Sequence, residues 1–218
     1  MQWTDEGYLL SKSNFNENSV IIEVFTLKHG KQTGIVYGGS SRKNKKKFQL
    51  GNKLFLNWKS KNQNKSGYFS VELIKPIAPS YFDDKKRCMC ILASVSLLKI
   101  LLPESQLNEK IYNSFEMMLD KFDSENWIQF YVFWELSLIK ELGFEINFSK
   151  NVEINSFITL NDKNFKVPEM ISKRKLQKNS PHIKEALAFN KNLLLENFIF
   201  PNKLKLPLFR NILAMYYS

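Results

Sequence analysis

Five short runs rich in β-branched and aromatic residues occupy the first 75 positions, and they limit the possible folds more than any other feature of the chain. They are Tyr8–Ser13, Val20–Thr26, Gln32–Tyr37, Leu54–Lys59 and Gly67–Ile74, separated by turn-forming Asn, Gly and Lys. Thr4-Asp5-Glu6-Gly7 reads as an opening turn, with Asn14–Asn18 and Lys28-His29-Gly30-Lys31 as the next two. Short strands at such spacing predict a small closed or nearly closed barrel.

Pro76 and Pro79 end this pattern, and the periodicity becomes helical. Cys88, Ile91, Leu92, Val95, Leu98, Leu101 and Leu102 form one apolar stripe, so a helix is expected over about 83–102, capped by Asp83 or Asp84. Further helices are expected over 105–122 and 125–142, with Ser105 and Ser124 as caps and Gly143 as the stop. A short irregular region with a hairpin follows within 144–180, then helices over 182–198 (Pro181 in the first turn) and 206–217. The fold class is therefore α+β, with a five-stranded barrel over 1–78 and an all-α bundle with a hairpin insertion over 79–218.

The barrel stretch is also one-signed. Between Val24 and Val71 there are eleven Lys or Arg and no Asp or Glu, within a chain of formal charge +11. Lysine-rich composition alone can follow from A/T-rich coding, but that bias does not remove acids from one window. Such a surface repels itself unless a polyanion lies on it. The charge is densest in the loop after Gly38-Gly39, at Arg42, Lys43, Lys45, Lys46 and Lys47, and Lys31, Lys59 and Lys61 extend it. Lysine is a flexible point charge suited to phosphates, whereas base reading favours arginine, so the binding expected is independent of sequence. Four or five such contacts to a single strand predict a log–log salt slope of about −3.

Aromatic residues interleave with these cations, and bases stack on aromatic rings that face outward. Alternation places Phe55 opposite Trp58 and Tyr68 opposite Phe69, so at most half are available; Tyr37 and Trp58 are the stacking candidates. Lys173, Arg174, Lys175 and Lys178 form a second, smaller basic patch.

No catalytic constellation is visible. His29 and His182 sit in a turn and at a helix start, and Asp83-Asp84 reads as a cap. Cys88 and Cys90 lie two apart, too close to pair without strain, which points to a reducing compartment and leaves no cysteine set for a metal. The most apolar run, Cys88–Leu102, is shorter than a membrane span and contains Lys99, and no secretory signal is visible at Met1. A soluble, cytoplasmic chain without cofactor is expected. Charge and barrel equally permit an RNA- or ribosome-associated protein. A nuclease would need acids near the basic loop, yet the barrel offers only Asp5, Glu6, Glu17, Glu23 and Glu72.

Several blocks carry a resemblance. Trp3-x-Asp5-Glu6-Gly7-x-x-Leu10-Ser11, Glu17-Asn18-Ser19-x-Ile21-x-Glu23-x-Phe25-Thr26-x-x-x-Gly30, Val36-x-Gly38-Gly39-Ser40-Ser41-Arg42 and Gln49-Leu50-Gly51-Asn52 resemble the amino-terminal barrel of the RecO family, the bacterial DNA-repair recombination mediators. Trp134-Glu135-Leu136-x-Leu138-x-x-x-Leu142-Gly143-Phe144 is similar to that family's third-helix signature, and Phe209-Arg210 is compatible with its closing helix. The resemblance implies an OB-fold barrel followed by a helical domain, and a nucleoid-associated protein that is not an enzyme. It also implies binding of single- and double-stranded DNA, annealing of strands coated with single-stranded-DNA-binding protein through that protein's acidic tail, and action with RecR in loading RecA. Some family members hold a four-cysteine zinc site after the third helix. Here Phe144–Lys178 contains no cysteine, so no metal is expected.

Overall fold

The computed structural model describes residues 1–41, 44, 46–60, 67–144, 157–161, 163–173 and 182–217. Its first five strands are β1 (Gln2–Asn14), β2 (Ser19–Thr26), β3 (Gly30–Tyr37), β4 (Lys53–Lys59) and β5 (Gly67–Lys75). They close into a barrel in the order β1-β2-β3-β5-β4, with β4 returning to β1. All pairings are antiparallel except β3 with β5, which runs parallel through Gly34↔Gly67 and Ile35↔Tyr68. The expected α+β class with an OB-like five-stranded sheet is what the chain adopts.

Closure depends on β1. Gln2 to Tyr8 pair with β4, while Gly7 to Asn14 pair with β2. Between Leu9 and Ser11 the register shifts, so Leu10 is an extra residue and Leu9 and Leu10 are both buried. A bulge of this kind bends and twists a strand, which a small barrel requires. Leu9, Val20, Ile22, Val24, Leu54, Leu56, Phe69 and Val71 point inward and fill the interior.

Thr4–Gly7 belongs to this strand and makes no turn, which corrects the opening of the sequence reading. Asp5 is buried and serves the neighbouring turn instead. Its Oδ2 accepts the Lys28 N–H at 2.8 Å and lies 3.0 Å from His29 Nδ1, while the His29 ring stacks on Trp3 at 4.0 Å.

After a 3-10 turn (Ala78–Tyr81), α1 (Lys85–Leu101) packs against β1. Asp84 caps it by accepting the Arg87 N–H at 3.0 Å, and it also pairs with the Arg87 guanidinium. Barrel and α1 lie in one compact unit, Met1–Tyr112 with Pro207–Arg210. The helix α2 (Glu109–Asp120) starts later than expected because Ser105 does not cap it. The Ser105 N–H donates to the Lys31 carbonyl at 2.8 Å, and Glu104 forms a bridge with Lys31, so this segment covers part of the β3 edge.

The second unit, Asn113–Leu206 with Asn211–Ser218, holds most of α2, then α3 (Trp127–Glu141), the hairpin β6 (Phe157–Leu160) and β7 (Lys163–Lys166), α4 (Glu169–Lys173) and α5 (Ile183–Leu194). A π-helical turn (Leu195–Ile199) follows, and α6 (Leu208–Met215) ends the chain. Ser124 does not cap α3; its hydroxyl donates to the Lys121 carbonyl. Gly143 closes that helix with φ 103°, as expected. Glu135 is fully buried between α3 and α5, accepting from Tyr131 Oη at 2.7 Å and Asn190 Nδ2 at 3.1 Å. Glu196 accepts from Lys163 and Asn161, tying the hairpin to the π-turn.

The Asp84 cap gives a stability prediction with a defined pH dependence. Burial alone would raise its carboxyl, but the Arg87 N–H and guanidinium outweigh this and hold it below the usual carboxylate range. Asp84→Ala is expected to cost about 1 kcal/mol in urea unfolding near neutral pH. Asp84→Asn keeps the cap and loses only the charge. Because the folded-state value is lowered, the charge contribution is complete above the unfolded value of 3.8 and disappears as pH falls through the folded one; the gap between wild type and Asp84→Asn should close over that acid range.

Candidate nucleic-acid interface

The pleat sorts barrel residues into two faces. Leu54, Leu56 and Trp58 face the core from β4, and Phe69 and Val71 from β5, which leaves Asn57, Lys59, Tyr68 and Ser70 outside. Register fixes the neighbours: Lys59 lies opposite Tyr68, and Asn57 opposite Ser70. On the adjoining β3, Val36 faces in and Tyr37 out. The Tyr37 and Tyr68 rings, 66% and 37% exposed, stand 6.0 Å apart and tilted at 55°.

These side chains line an open groove of about 480 Å³, and Asn44 and Lys47 complete its wall from the basic loop. None of the lining residues is acidic. Three of the barrel's five carboxylates have partners elsewhere, and Glu72 stands exposed on β5 two residues beyond Ser70. Asp5 is engaged with the 28–29 turn, Glu6 pairs with Lys53 at 3.0 Å, and Glu23 takes the Ser11 hydroxyl and the Lys99 ammonium. Two ammonium groups and two tyrosine rings beside amide and hydroxyl groups can hold phosphates and stack bases.

The described residues of the loop are tied to one another and to the barrel. Gly38 enters it with φ 69°, a conformation glycine adopts without a Cβ penalty, and Asn44 Nδ2 donates back to the Gly38 carbonyl at 2.9 Å. Lys47 Nζ spends one of its three donors on the Val71 carbonyl at 3.2 Å. Beneath it, Asn52 is fully buried. Its Nδ2 donates to the carbonyls of Lys46 and Lys47, and its Oδ1 accepts the Ile77 N–H at 3.1 Å.

Of the expected contact residues, Tyr37, Lys47 and Lys59 come together in the groove, and Lys46 is exposed in the adjoining turn. Lys31 does not line it; its ammonium donates to the Lys99 carbonyl near the end of α1. Trp58 does not line it either. It packs against the barrel core, stacked on Trp3 at 5.4 Å and close over Gly67, and its indole N–H is shielded from solvent with no acceptor among the described residues. Arg42, Lys43, Lys45 and Lys61 lie outside the described residues. In the second patch, Lys173 pairs with Glu169 one turn away, while Arg174, Lys175 and Lys178 also lie outside the described residues. Sequence reasoning missed Tyr68, Asn44, Asn57 and Ser70. For Tyr68 the usable signal was its place across from a lysine on the neighbouring strand.

Among the described residues there is no group of three His, Cys, Asp or Glu that could hold a metal ion, and no helix is long and apolar enough to cross a membrane.

Comparison with known proteins adds the lineage. Residues 1–77 match the family described as Recombination protein O N terminal, and residues 83–200 match Recombination protein O C terminal. The chain belongs to the RecO family. Relatives named DNA repair protein RecO include one from Cereibacter sphaeroides, 35% identical over 150 residues, which is 69% of this chain and 63% of the relative. Another, from Ehrlichia chaffeensis, is 33% identical over 152 residues, covering 69% and 62%. A third, from Wolbachia sp. subsp. Drosophila simulans, is 31% identical over 152 residues with the same coverage. The chain thus spans less than two thirds of the length of these curated relatives.

Asn52 should matter for the loop's position as well as for stability. Asn52→Ala leaves the Ile77 N–H and the Lys46 and Lys47 carbonyls without their partner, and a loss of about 1–3 kcal/mol in urea unfolding is expected. Protease cleavage within 38–48 should accelerate in that variant.

Proposed function

We propose that this RecO-family chain is a DNA repair and recombination mediator that binds single- and double-stranded DNA without regard to sequence and anneals complementary strands. The observation that carries this is the acid-free groove with Lys47, Lys59, Tyr37 and Tyr68 on the outer barrel. Lysines neutralise phosphates by charge alone, and tyrosine faces accept any base, so neither contact selects a sequence. Two strands repel each other; a lysine-rich surface that screens both lets complementary bases meet, and the bases themselves decide the pairing. No bond need be made or broken by the protein.

The remaining features of the family belong to the same proposal. The protein works in the cytoplasm on nucleoid DNA, acts with RecR to assist RecA loading, and docks the acidic tail of single-stranded-DNA-binding protein. The basic loop residues Arg42, Lys43, Lys45 and Lys46, together with Lys31 and Lys61, add to the field along the strand, and Lys173–Lys178 forms a secondary basic patch. An RNA- or ribosome-associated role gains nothing from relatives named as DNA repair proteins.

The test is annealing of complementary strands precoated with single-stranded-DNA-binding protein, with and without this chain. Acceleration supports the proposal, and no effect rejects it. For the groove itself, Lys47→Gln with Lys59→Gln should flatten the log–log salt slope of single-strand binding by about 1.4, at 0.7 per phosphate. Tyr37→Ala and Tyr68→Ala should each weaken binding by ~1–3 kcal/mol with the melting temperature unchanged. Unaltered affinity in all three variants would remove the groove as the site.

A further inference from the structure

A second concavity borders the same loop. It has a volume of about 530 Å³ and is lined by Lys12 and Asn14 at the end of β1, by Phe15, Asn16 and Glu17 of the β1–β2 turn, and by Ser40 of the loop. The two concavities adjoin: Phe48 lines the first, and the Lys12 ammonium, from the second, stands 5.8 Å from the centre of its ring.

The turn that carries this site is ordered. The Phe15 and Asn16 N–H groups both donate to the Ser19 carbonyl, at 3.0 and 3.3 Å, and Asn16 Oδ1 accepts the Asn18 N–H at 3.1 Å. That arrangement holds out a phenyl ring with 52% of its surface in solvent, beside two side-chain amides and a carboxylate. Among the described residues, Ser40 Oγ is shielded from solvent yet has no hydrogen-bond partner.

The chemistry differs from that of the first groove. There, two lysines and no acid face the ligand. Here, among the described residues, the single cation is offset by Glu17, so phosphate attraction is weak, while the other groups suit nucleobases. A ring stacks on a base face, an amide pairs with adenine edges, and a carboxylate accepts from a cytosine amine.

We propose that this concavity holds a second single strand by one or two of its bases while the first strand lies in the lysine and tyrosine groove. This rests on the annealing function proposed above and gives it a geometry. One strand is held by its phosphates, and its complement is held loosely alongside, free to slide until its letters match. Weak electrostatic hold is what permits that sliding, since a single cation contributes a salt slope of only about −0.7.

The test uses the full chain and an oligothymidylate of about eight nucleotides, a length within the range one barrel accommodates and unable to pair with itself. At low salt the protein should bind two copies, one tight and one weak. Phe15→Ala combined with Lys12→Gln should weaken the second site about tenfold or more, the loss expected for one stacked base and one phosphate, and leave the first within twofold. Annealing of bare complementary strands by that variant should slow in proportion, with the melting temperature unchanged. A single site in the wild-type chain, or two unaltered sites in the variant, overturns the second-strand assignment while leaving the first groove intact. No binding at all would instead reject the function on which it rests.

Discussion

β1 pairs along both of its edges, with β4 through its first half and with β2 through its second. The shift at Leu10 lets one strand of thirteen residues bend far enough to do so, and the barrel closes because of it. Closure leaves little free strand edge and fixes which residues face out. Lys59 stands across from Tyr68, and Asn57 from Ser70, only because β4 keeps its register between β1 and β5. A slip of one residue would bring Trp58 and Phe69 to the surface and send Lys59 inward.

On this frame the charges are sorted rather than merely numerous. Asp5, Glu6 and Glu23 are each consumed by a turn, an ion pair or a neighbouring helix, so none of them faces the groove. Lys31 and Lys53 likewise serve the fold, one at the end of α1 and the other beside Glu6. What remains outward at the groove is a small number of lysines next to tyrosine rings. The lysines and the tyrosine rings of the groove thus come from the same three strands and one loop, and Asn52 anchors that loop from within the barrel.

Much of the fold is legible in the sequence because local and tertiary signals agree. Val20–Thr26 has both β-branched residues and flanking turns, and its strand differs from the expectation by one residue. Asp84 is a cap by residue type and by geometry. The failures occur where a distant partner overrides a local preference. Asp5 and Gly7 look like a turn, but Asp5 is held by the 28–29 turn. Ser105 looks like a cap, but its N–H goes to Lys31. The groove shows the same limit. Alternation says that Tyr68 and Phe69 face opposite ways without saying which is outside, and the same holds for Phe55 and Trp58, where cross-strand pairing with Phe69 and Trp3 draws Trp58 to the core. Asn52 reaches Lys46 and Lys47 locally, but the Ile77 N–H that completes its set of partners lies 25 residues away.

The central claim is that a nucleic-acid strand lies across Tyr37 and Tyr68. Photocrosslinking of a single strand carrying 5-iodouracil, followed by peptide mapping, tests it most directly. The account predicts adducts on the two peptides that contain Tyr37 and Tyr68, lost at high salt together with binding. Adducts confined to peptides of the helical unit, with both tyrosine peptides unmodified, would contradict it.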